Sequence, residues 1–177
     1  MKTRITKSLP AWARHAAAAG VLVLVCGLTA YAAAPPQDGS PAPNFSLPLV
    51  ANGRGAVSLA QLKGHAVYIN FFASWCQPCK AEAPSIGKIA HDFGKHNVVV
   101  IGIDELEANE QAKNFATQYN LPYRIAVDSS GEVGGSYGLI GLPLHVFIAA
   151  DGTVAMHREG EMSEAQIRAE LQKLSHH

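Results

Sequence analysis

Two cysteines separated by two residues, Cys76 and Cys79, are the side chains of this sequence best suited to chemistry. They follow an apolar run at 66–72 and open a segment with helical periodicity, so both are expected on the first turn of a helix. At that spacing two thiols can close a small disulfide, and the unpaired N–H groups of the helix start favour a thiolate. The pattern predicts a redox-active dithiol in which an exposed Cys76 attacks and a shielded Cys79 resolves the mixed disulfide.

Two other uses of a C-x-x-C pair fit the sequence less well. A structural zinc site needs two further cysteine or histidine ligands at ordered spacing, and no such pair accompanies the motif, so no metal site is expected. A purely structural disulfide across so short a loop removes little entropy from the unfolded chain. Cys26, the remaining cysteine, is interpreted as an ordinary apolar residue, because Val25 before it does not suit lipid attachment.

Length and composition predict one globular domain. The chain has 177 residues, 48% of them hydrophobic, and a formal net charge of zero. That hydrophobic content is sufficient for a core, whereas the neutral charge offers no surface that would collect phosphates. A nucleic-acid partner is therefore not expected, and partners are expected to be recognised around the dithiol.

The N-terminal 34 residues have the composition of an export segment. Basic residues precede an apolar run that ends in small residues suited to cleavage, and the run is about as long as the shortest membrane span. Residues 1–34 are therefore predicted to be a signal peptide or a signal anchor. The preceding positive charges place the remainder in the periplasm or another extracytoplasmic space, secreted or anchored to the inner membrane. Proline-rich residues 35–43 form a predicted flexible or extended linker to a domain at 44–177.

The order of expected elements predicts an α/β fold. The first half is expected to contain a hairpin over 45–57 that turns at Asn52–Gly53, a helical turn at 59–62, strand 66–72 and a helix from the dithiol to about Phe93. Strand 98–103, helix 109–119, strand 124–127 and a hairpin of 144–149 with 153–157 follow. A capping box at Ser163 and Gln166 begins a last helix that reaches about Leu174. The strand–helix–strand–helix–strand core implies right-handed crossovers and parallel pairing. A parallel core closed by an antiparallel hairpin, with helices on both faces, has the thioredoxin architecture.

Four stretches of the domain resemble one group of exported proteins. They are residues 44–47, the run from Asn70 to Lys80 with its Trp-Cys-Gln-Pro-Cys motif, residues 141–143, and Asp151–Gly152. Over about residues 41–174 the chain is similar to the thioredoxin-like thiol:disulfide oxidoreductases of the TlpA, ResA and CcmG (DsbE) group. The resemblance implies a thioredoxin fold, with a central mixed sheet flanked by helices and an N-terminal β-hairpin extension.

The resemblance also implies a substrate-docking surface around the dithiol. In similar proteins the proline at position 143 is cis and stands beside the dithiol, which leaves the backbone of Leu142 free to pair with a bound peptide. The residues expected on this surface are Trp75, Gln77, Pro78, Leu142 and Pro143. Leu144 stands where the family commonly has threonine, and the neighbouring His145 is interpreted as a strand residue rather than an acid–base group.

Glu82 is the predicted proton acceptor. It lies three residues after Cys79, so the two side chains are neighbours on a helix, and a carboxylate there can take a proton from Cys79 during exchange. ResA-like proteins carry a glutamate at this position. Thioredoxin has a buried aspartate where this chain has Asn70, an amide that cannot exchange a proton at neutral pH. Asp104 and Glu105 are interpreted as loop or helix-capping acids.

These features predict a catalytic set of Cys76, Cys79 and Glu82 that needs no cofactor beyond the redox-active disulfide. The resemblance implies a reductase of protein disulfides, including the C-x-x-C-H segment of apocytochrome c, with a membrane-bound electron donor of the thioredoxin-reducing type. One alternative is an antioxidant, peroxiredoxin-like peroxide reductase, which shares the opening Pro-Asn-Phe-Ser-Leu pattern but would have threonine before its reactive cysteine. A second alternative is a non-catalytic copper-binding module with the dithiol as soft ligands.

Overall fold

The computed structural model describes residues 34–175. Its strands are β1 Ser46–Ala51, β2 Ala56–Ser58, β3 Ala66–Phe72, β4 Val98–Glu105, β5 Arg124–Asp128, β6 Leu144–Ile148 and β7 Val154–Glu159. Its helices are α1 Gln77–Phe93, α2 Asn109–Gln118, α3 Glu132–Ser136 and α4 Glu164–Ser175, with a 3-10 turn at Leu59–Leu62. Within the described range, no helix is both long enough and apolar enough to cross a bilayer. The predicted export segment lies outside this range apart from Ala34.

The centre of the domain is β3, all seven residues of which are buried. It pairs in parallel with β4 and antiparallel with β6, and β4 pairs in parallel with β5. The sheet has the order β2-β1-β5-β4-β3-β6-β7. The predicted parallel core closed by an antiparallel hairpin, and with it the thioredoxin-like fold, is confirmed.

The two faces of β3 belong to two separate hydrophobic clusters. Tyr68 and Phe72 lie in the cluster that α1, α2 and α4 cover. Ile69 and Phe71 lie in the other cluster, together with the N-terminal hairpin and Tyr137. This division follows from the alternation of side chains along a strand, which places Tyr68 and Phe72 on the face that these helices cover.

Two connections differ from the sequence prediction. The N-terminal hairpin is joined to the main sheet, because β1 pairs antiparallel with β5. A short helix, α3, follows β5 and was not predicted, since its sequence Glu-Val-Gly-Gly-Ser has low helix propensity. A Cβ at position 134 would lie 2.5 Å from Oε1 of Glu105, so a larger residue there would displace that carboxylate.

Part of the predicted linker is extended along the domain. Gly39 donates a backbone hydrogen bond to Val154, and Val154 donates one to Ser40. Ala42 donates to Gly152, beside an isolated bridge between Pro41 and Thr153. Residues 39–42 therefore lie against the start of β7.

Candidate active site

Cys76 and Cys79 form a disulfide at the N-terminus of α1, with 5.3 Å between their Cα atoms. Cys76 is the N-cap residue of the helix, and its sulfur accepts a hydrogen bond from the backbone N–H of Cys79 at 3.3 Å. Pro78 lies in the first turn, where its missing N–H leaves no helix hydrogen bond unmade. The predicted position of the dithiol at the start of a helix is confirmed.

The prediction that Cys76 is the more exposed cysteine is wrong for the disulfide form. Cys76 is 4% exposed and Cys79 is 3% exposed. Both cysteines belong to the hydrophobic cluster that α1 covers. The exposed part of the motif is the pair of residues between the cysteines, Gln77 and Pro78.

An apolar groove is lined in part by Trp75, the residue that precedes Cys76. The peptide bond between Leu142 and Pro143 is cis, as the resemblance implies, and Leu142 is half-buried at the groove wall. The groove has a volume of about 400 Å³ and is also lined by the indole of Trp75. Trp75 is 66% exposed, so its ring is available to a docking partner.

Sequence reasoning missed two residues of this groove. Leu106 is 66% exposed and Ile140 is 90% exposed, and both line the groove opposite Leu142 and beside Trp75. A large apolar side chain in a loop was the only available signal, and it carries little weight without knowledge of its neighbours. With Trp75, these are the large hydrophobic side chains most exposed in the part of the chain that the structure describes.

Glu82 is buried on the inner side of α1 and is held by polar contacts. It is 4% exposed, and its Oε1 accepts a hydrogen bond from the backbone N–H of Met162. Its Oε2 lies 3.5 Å from Nε2 of His145. Since Cys79 precedes Glu82 by three residues and is also buried, the carboxylate and the resolving cysteine lie on neighbouring positions of the same helix face. His145 lies in β6, as predicted for a strand residue, but its side chain is directed at the candidate acid–base group.

A second acidic cluster lies at the end of β4. Asp104 and Glu105 are buried within the strand, so their interpretation as loop or helix-capping acids is wrong. Burial, and then the negative charge of Glu107, raise the pKa of Asp104 to about 8. Burial, and then the charge of Asp128, raise the pKa of Glu105 to about 7. This cluster was not recognised because the pattern of β4 does not show that the strand continues through the two acids.

The second cluster is connected to the dithiol loop through Glu107. Oε1 of Glu107 accepts a hydrogen bond from the Ser74 hydroxyl at 2.7 Å, and Oε2 accepts one from the Ser74 backbone N–H. Ser74 immediately precedes Trp75 and Cys76 in the chain. Glu107 therefore fixes the loop that carries the dithiol into α1.

Comparison with known proteins identifies the family. The sequence model of the AhpC/TSA family matches residues 39–157. The thiol-disulfide oxidoreductase ResA of Bacillus thuringiensis subsp. konkukian is 34% identical over 140 residues, which span 78% of this chain and 79% of that protein. The chain belongs to the AhpC/TSA family as a thioredoxin-like thiol–disulfide oxidoreductase.

Other relatives agree with this assignment. The thiol:disulfide interchange protein DsbE of Pseudomonas fluorescens biotype C is 32% identical over 134 residues, which span 75% of this chain and 72% of that protein. Among solved structures, a secreted Mycobacterium tuberculosis disulfide oxidoreductase homologous to DsbE of Escherichia coli has a TM-score of 0.67 and 26% identity, and covers 73% of this chain and 96% of that chain.

In a thiol–disulfide oxidoreductase the three parts of this site have separate tasks. The dithiol at the start of α1 exchanges with a disulfide, and helix-end N–H groups favour its thiolate form. The groove beside the cis Pro143 can accept an extended peptide, and the buried Glu82 can accept a proton close to Cys79.

Proposed function

We propose that this protein reduces disulfide bonds in extracytoplasmic proteins by exchange with its own dithiol. The observation that carries the proposal is the Cys76–Cys79 disulfide at the N-terminus of α1 beside an apolar groove. A dithiol in this position can exchange with a substrate disulfide at the start of a helix, where N–H groups favour a thiolate, and the proposal requires no cofactor besides the dithiol. The named relatives, a ResA and a DsbE, support the same class of reaction.

The reaction consists of two exchanges that balance in electrons and protons. The Cys76 thiolate attacks one sulfur of the substrate disulfide, forms a mixed disulfide and releases the other substrate sulfur as a thiolate. Cys79 then loses its proton and attacks the Cys76 sulfur, which closes the intramolecular disulfide and releases the second substrate thiolate. The substrate gains two electrons, and the dithiol loses two.

Glu82 accepts the proton that Cys79 loses in the second exchange. The carboxylate is buried near the thiol on the same helix face, so water does not compete for this role. The proton is later available to the departing substrate thiolate. The amide of Asn70, buried on the same face of β3 as Tyr68, cannot take part in this transfer.

The substrate class is an extended peptide segment that carries a C-x-x-C disulfide, such as the C-x-x-C-H segment of apocytochrome c before haem attachment. The groove lined by Trp75 and Leu142 offers apolar surface to such a segment, and Gln77 and Pro78, which follow Trp75 and Cys76 in the chain, are exposed. The ResA and DsbE relatives support this class.

The proposed compartment is supported by the N-terminal sequence, and the proposed electron donor by the resemblance to ResA-like proteins. Basic residues followed by an apolar run favour export, with residues 1–34 cleaved or retained as an anchor in the inner membrane. A secreted relative with the same fold supports this placement. Because an extracytoplasmic dithiol lacks access to cytoplasmic reductants, a membrane-bound donor of the thioredoxin-reducing type restores the reduced form.

Trapping experiments test the two cysteine roles. In a Cys26→Ser background, which leaves only the two motif cysteines, Cys79→Ser should accumulate a mixed disulfide with a C-x-x-C-H peptide disulfide, because the second exchange cannot occur. Cys76→Ser should lose exchange and form no adduct. The measurement is mass spectrometry after acid quenching, and equal loss without an adduct in both variants would contradict the assignment.

The reduction potential decides the direction of the reaction. Equilibration of the Cys76–Cys79 pair with graded dithiothreitol buffers, followed by thiol trapping, should give a value near or below about −270 mV, as expected of a reductase. A value near about −120 mV would instead indicate an oxidant that introduces disulfides. Peroxide consumption and stoichiometric copper binding by the reduced protein, measured in parallel, test the peroxide-reductase and copper-carrier alternatives.

A further inference from the structure

His145 is completely buried in β6, and its two ring nitrogens face two different polar groups. Nδ1 lies 2.8 Å from the hydroxyl of Tyr68, within hydrogen-bond distance. Nε2 lies 3.5 Å from Oε2 of Glu82, which is longer than an optimal hydrogen bond but still a direct contact between two polar atoms. Within residues 34–175, neither His145 Nε2 nor Glu82 Oε2 has a hydrogen-bond partner, so these two buried atoms have only each other.

The opposite oxygen of the carboxylate is already occupied. The backbone N–H of Met162 donates to Glu82 Oε1, which fixes the rotation of the carboxylate and turns Oε2 toward the imidazole. An ionised carboxylate offers about four lone-pair positions, so two donors leave room for an incoming proton. The carboxylate is thus held at both oxygens and can still accept a proton.

The tautomer of His145 follows from these contacts. An ionised Glu82 requires a donor, so Nε2 must carry hydrogen, and the neutral ring then has its lone pair at Nδ1. The Tyr68 hydroxyl donates to that lone pair, and burial and the charge of nearby groups raise the pKa of Tyr68, so the hydroxyl keeps its proton. The order of donors is therefore Tyr68 to His145 to Glu82.

Resting on the exchange reaction proposed above, we propose that His145 is a positioning residue that keeps Glu82 ionised and oriented for the proton of Cys79. Hydrogen bonding to the charged form of an acid favours that form. His145 thereby supplies Glu82 with a donor at Oε2, and Tyr68 sets the tautomer of His145.

Other polar groups near His145 do not supply this donor. Asn70 lies directly opposite His145 in the β3–β6 ladder, and its buried Nδ2 has no partner within the described residues. Arg158, the register partner of His145 on β7, is exposed, and Tyr123 is a neutral phenol whose pKa is raised by burial. In the proposed reaction Cys79 gives its proton to Glu82, so it does not supply a lasting donor to the carboxylate. None of these groups replaces the donor that His145 presents to Glu82.

The test is the pH dependence of ring closure with oxidised glutathione as the probe, followed by acid quenching and alkylation of free thiols. His145→Leu should shift the rising limb of the rate profile to higher pH by about one unit, which is about a tenfold lower rate at a pH on that limb. His157→Leu is the matched control, since His157 is bound to the Tyr137 carbonyl on β7, and its profile should coincide with that of the wild-type protein.

A double variant separates a role through Glu82 from a general effect. In a Glu82→Gln background, His145→Leu should cause no further shift, because there is no carboxylate to position. A profile of His145→Leu that coincides with the wild type, or a shift that persists undiminished in the Glu82→Gln background, would overturn the proposal. If His145→Leu does not fold, Tyr68→Phe decides the question, with a smaller shift in the same direction expected and an unchanged profile counting against the proposal.

This experiment remains informative if the proposed function fails. Ring closure with glutathione needs no protein substrate, whereas the proposed function is tested with a C-x-x-C-H peptide disulfide. A protein that does not reduce the peptide but shows the His145 shift would refute the substrate class alone.

Discussion

Two buried acids near the dithiol, Glu82 on α1 and Asp104 on β4, are in opposite electrostatic situations. Glu82 has a backbone donor at one oxygen and an imidazole facing the other. Within the described residues neither oxygen of Asp104 accepts a hydrogen bond, and the negative charge of Glu107 acts against its ionisation. Burial alone therefore does not make a carboxyl group a catalytic base, because the surrounding donors decide whether it can be ionised.

The difference also separates two structural tasks. Glu82 lies one turn beyond the start of α1, close to the resolving cysteine, whereas Asp104 lies opposite Phe72 in the β3–β4 ladder. A protonated Asp104 can be buried beside Glu107 without repulsion, and Glu107 then remains free to hold Ser74. In the proposed reaction the first acid exchanges a proton, whereas the second lies beside the glutamate that holds the loop before the dithiol.

The largest expected effect comes from removing the base. Glu82→Gln should lower the rate of the second exchange by about a hundredfold at neutral pH, the usual contribution of a general base. The matched control is Asp104→Asn, which removes the other buried acid and should leave this rate within a few-fold of the wild type. Stopped-flow measurement of single-turnover closure checks both variants. Equal rate losses in the two variants would show that Glu82 is not the specific acceptor of the Cys79 proton.

A second effect concerns stability and has its origin in Asp104. The folded protein keeps this proton up to about pH 8, whereas the unfolded chain releases it near its ordinary pKa of 3.8. Between these two pKa values the folded protein binds more protons than the unfolded chain, so the free energy of unfolding falls as the pH rises through this interval. Asp104→Asn should remove part of that fall and be more stable than the wild type at pH 8 by about 2 kcal/mol. Urea unfolding of the oxidised wild-type protein and of the variant, from pH 4 to pH 8, measures this difference in the free energy of unfolding.

Asp92 is the control for this pH dependence. Hydrogen bonds from Arg168 lower the pKa of this exposed carboxyl group, so its contribution is present at neutral pH and is lost only as the pH falls below its ordinary range. Asp92→Asn should therefore keep the wild-type slope between pH 5 and pH 8. The assignment to Asp104 would be contradicted if Asp104→Asn kept that slope as well.

The sequence predicts the well-patterned parts of the molecule and misses contacts between distant segments. The apolar run of β3 and the helix start at the dithiol have local signals, and their predicted bounds agree with the structure. The contact between Glu82 and His145 joins α1 to β6, and neither residue carries a local sign of the other. The pairing of β1 with β5 is likewise non-local. The polar environment of a buried acid depends on such contacts, so the sequence could name Glu82 as a candidate but not its donors.

The smallest expected effect tests whether the groove contributes to binding rather than to chemistry. Leu106→Ser and Ile140→Ser remove exposed apolar surface next to Trp75, and each should raise the KM for a C-x-x-C-H peptide disulfide by about fivefold, equivalent to about 1 kcal/mol of lost apolar contact. The rate with oxidised glutathione should not change, because so small a disulfide does not fill the groove. Ala155→Ser, at an exposed position on β7, is the control. If KM for the peptide stays at the wild-type value in both groove variants, substrate recognition depends on the backbone near Pro143 and not on this apolar surface.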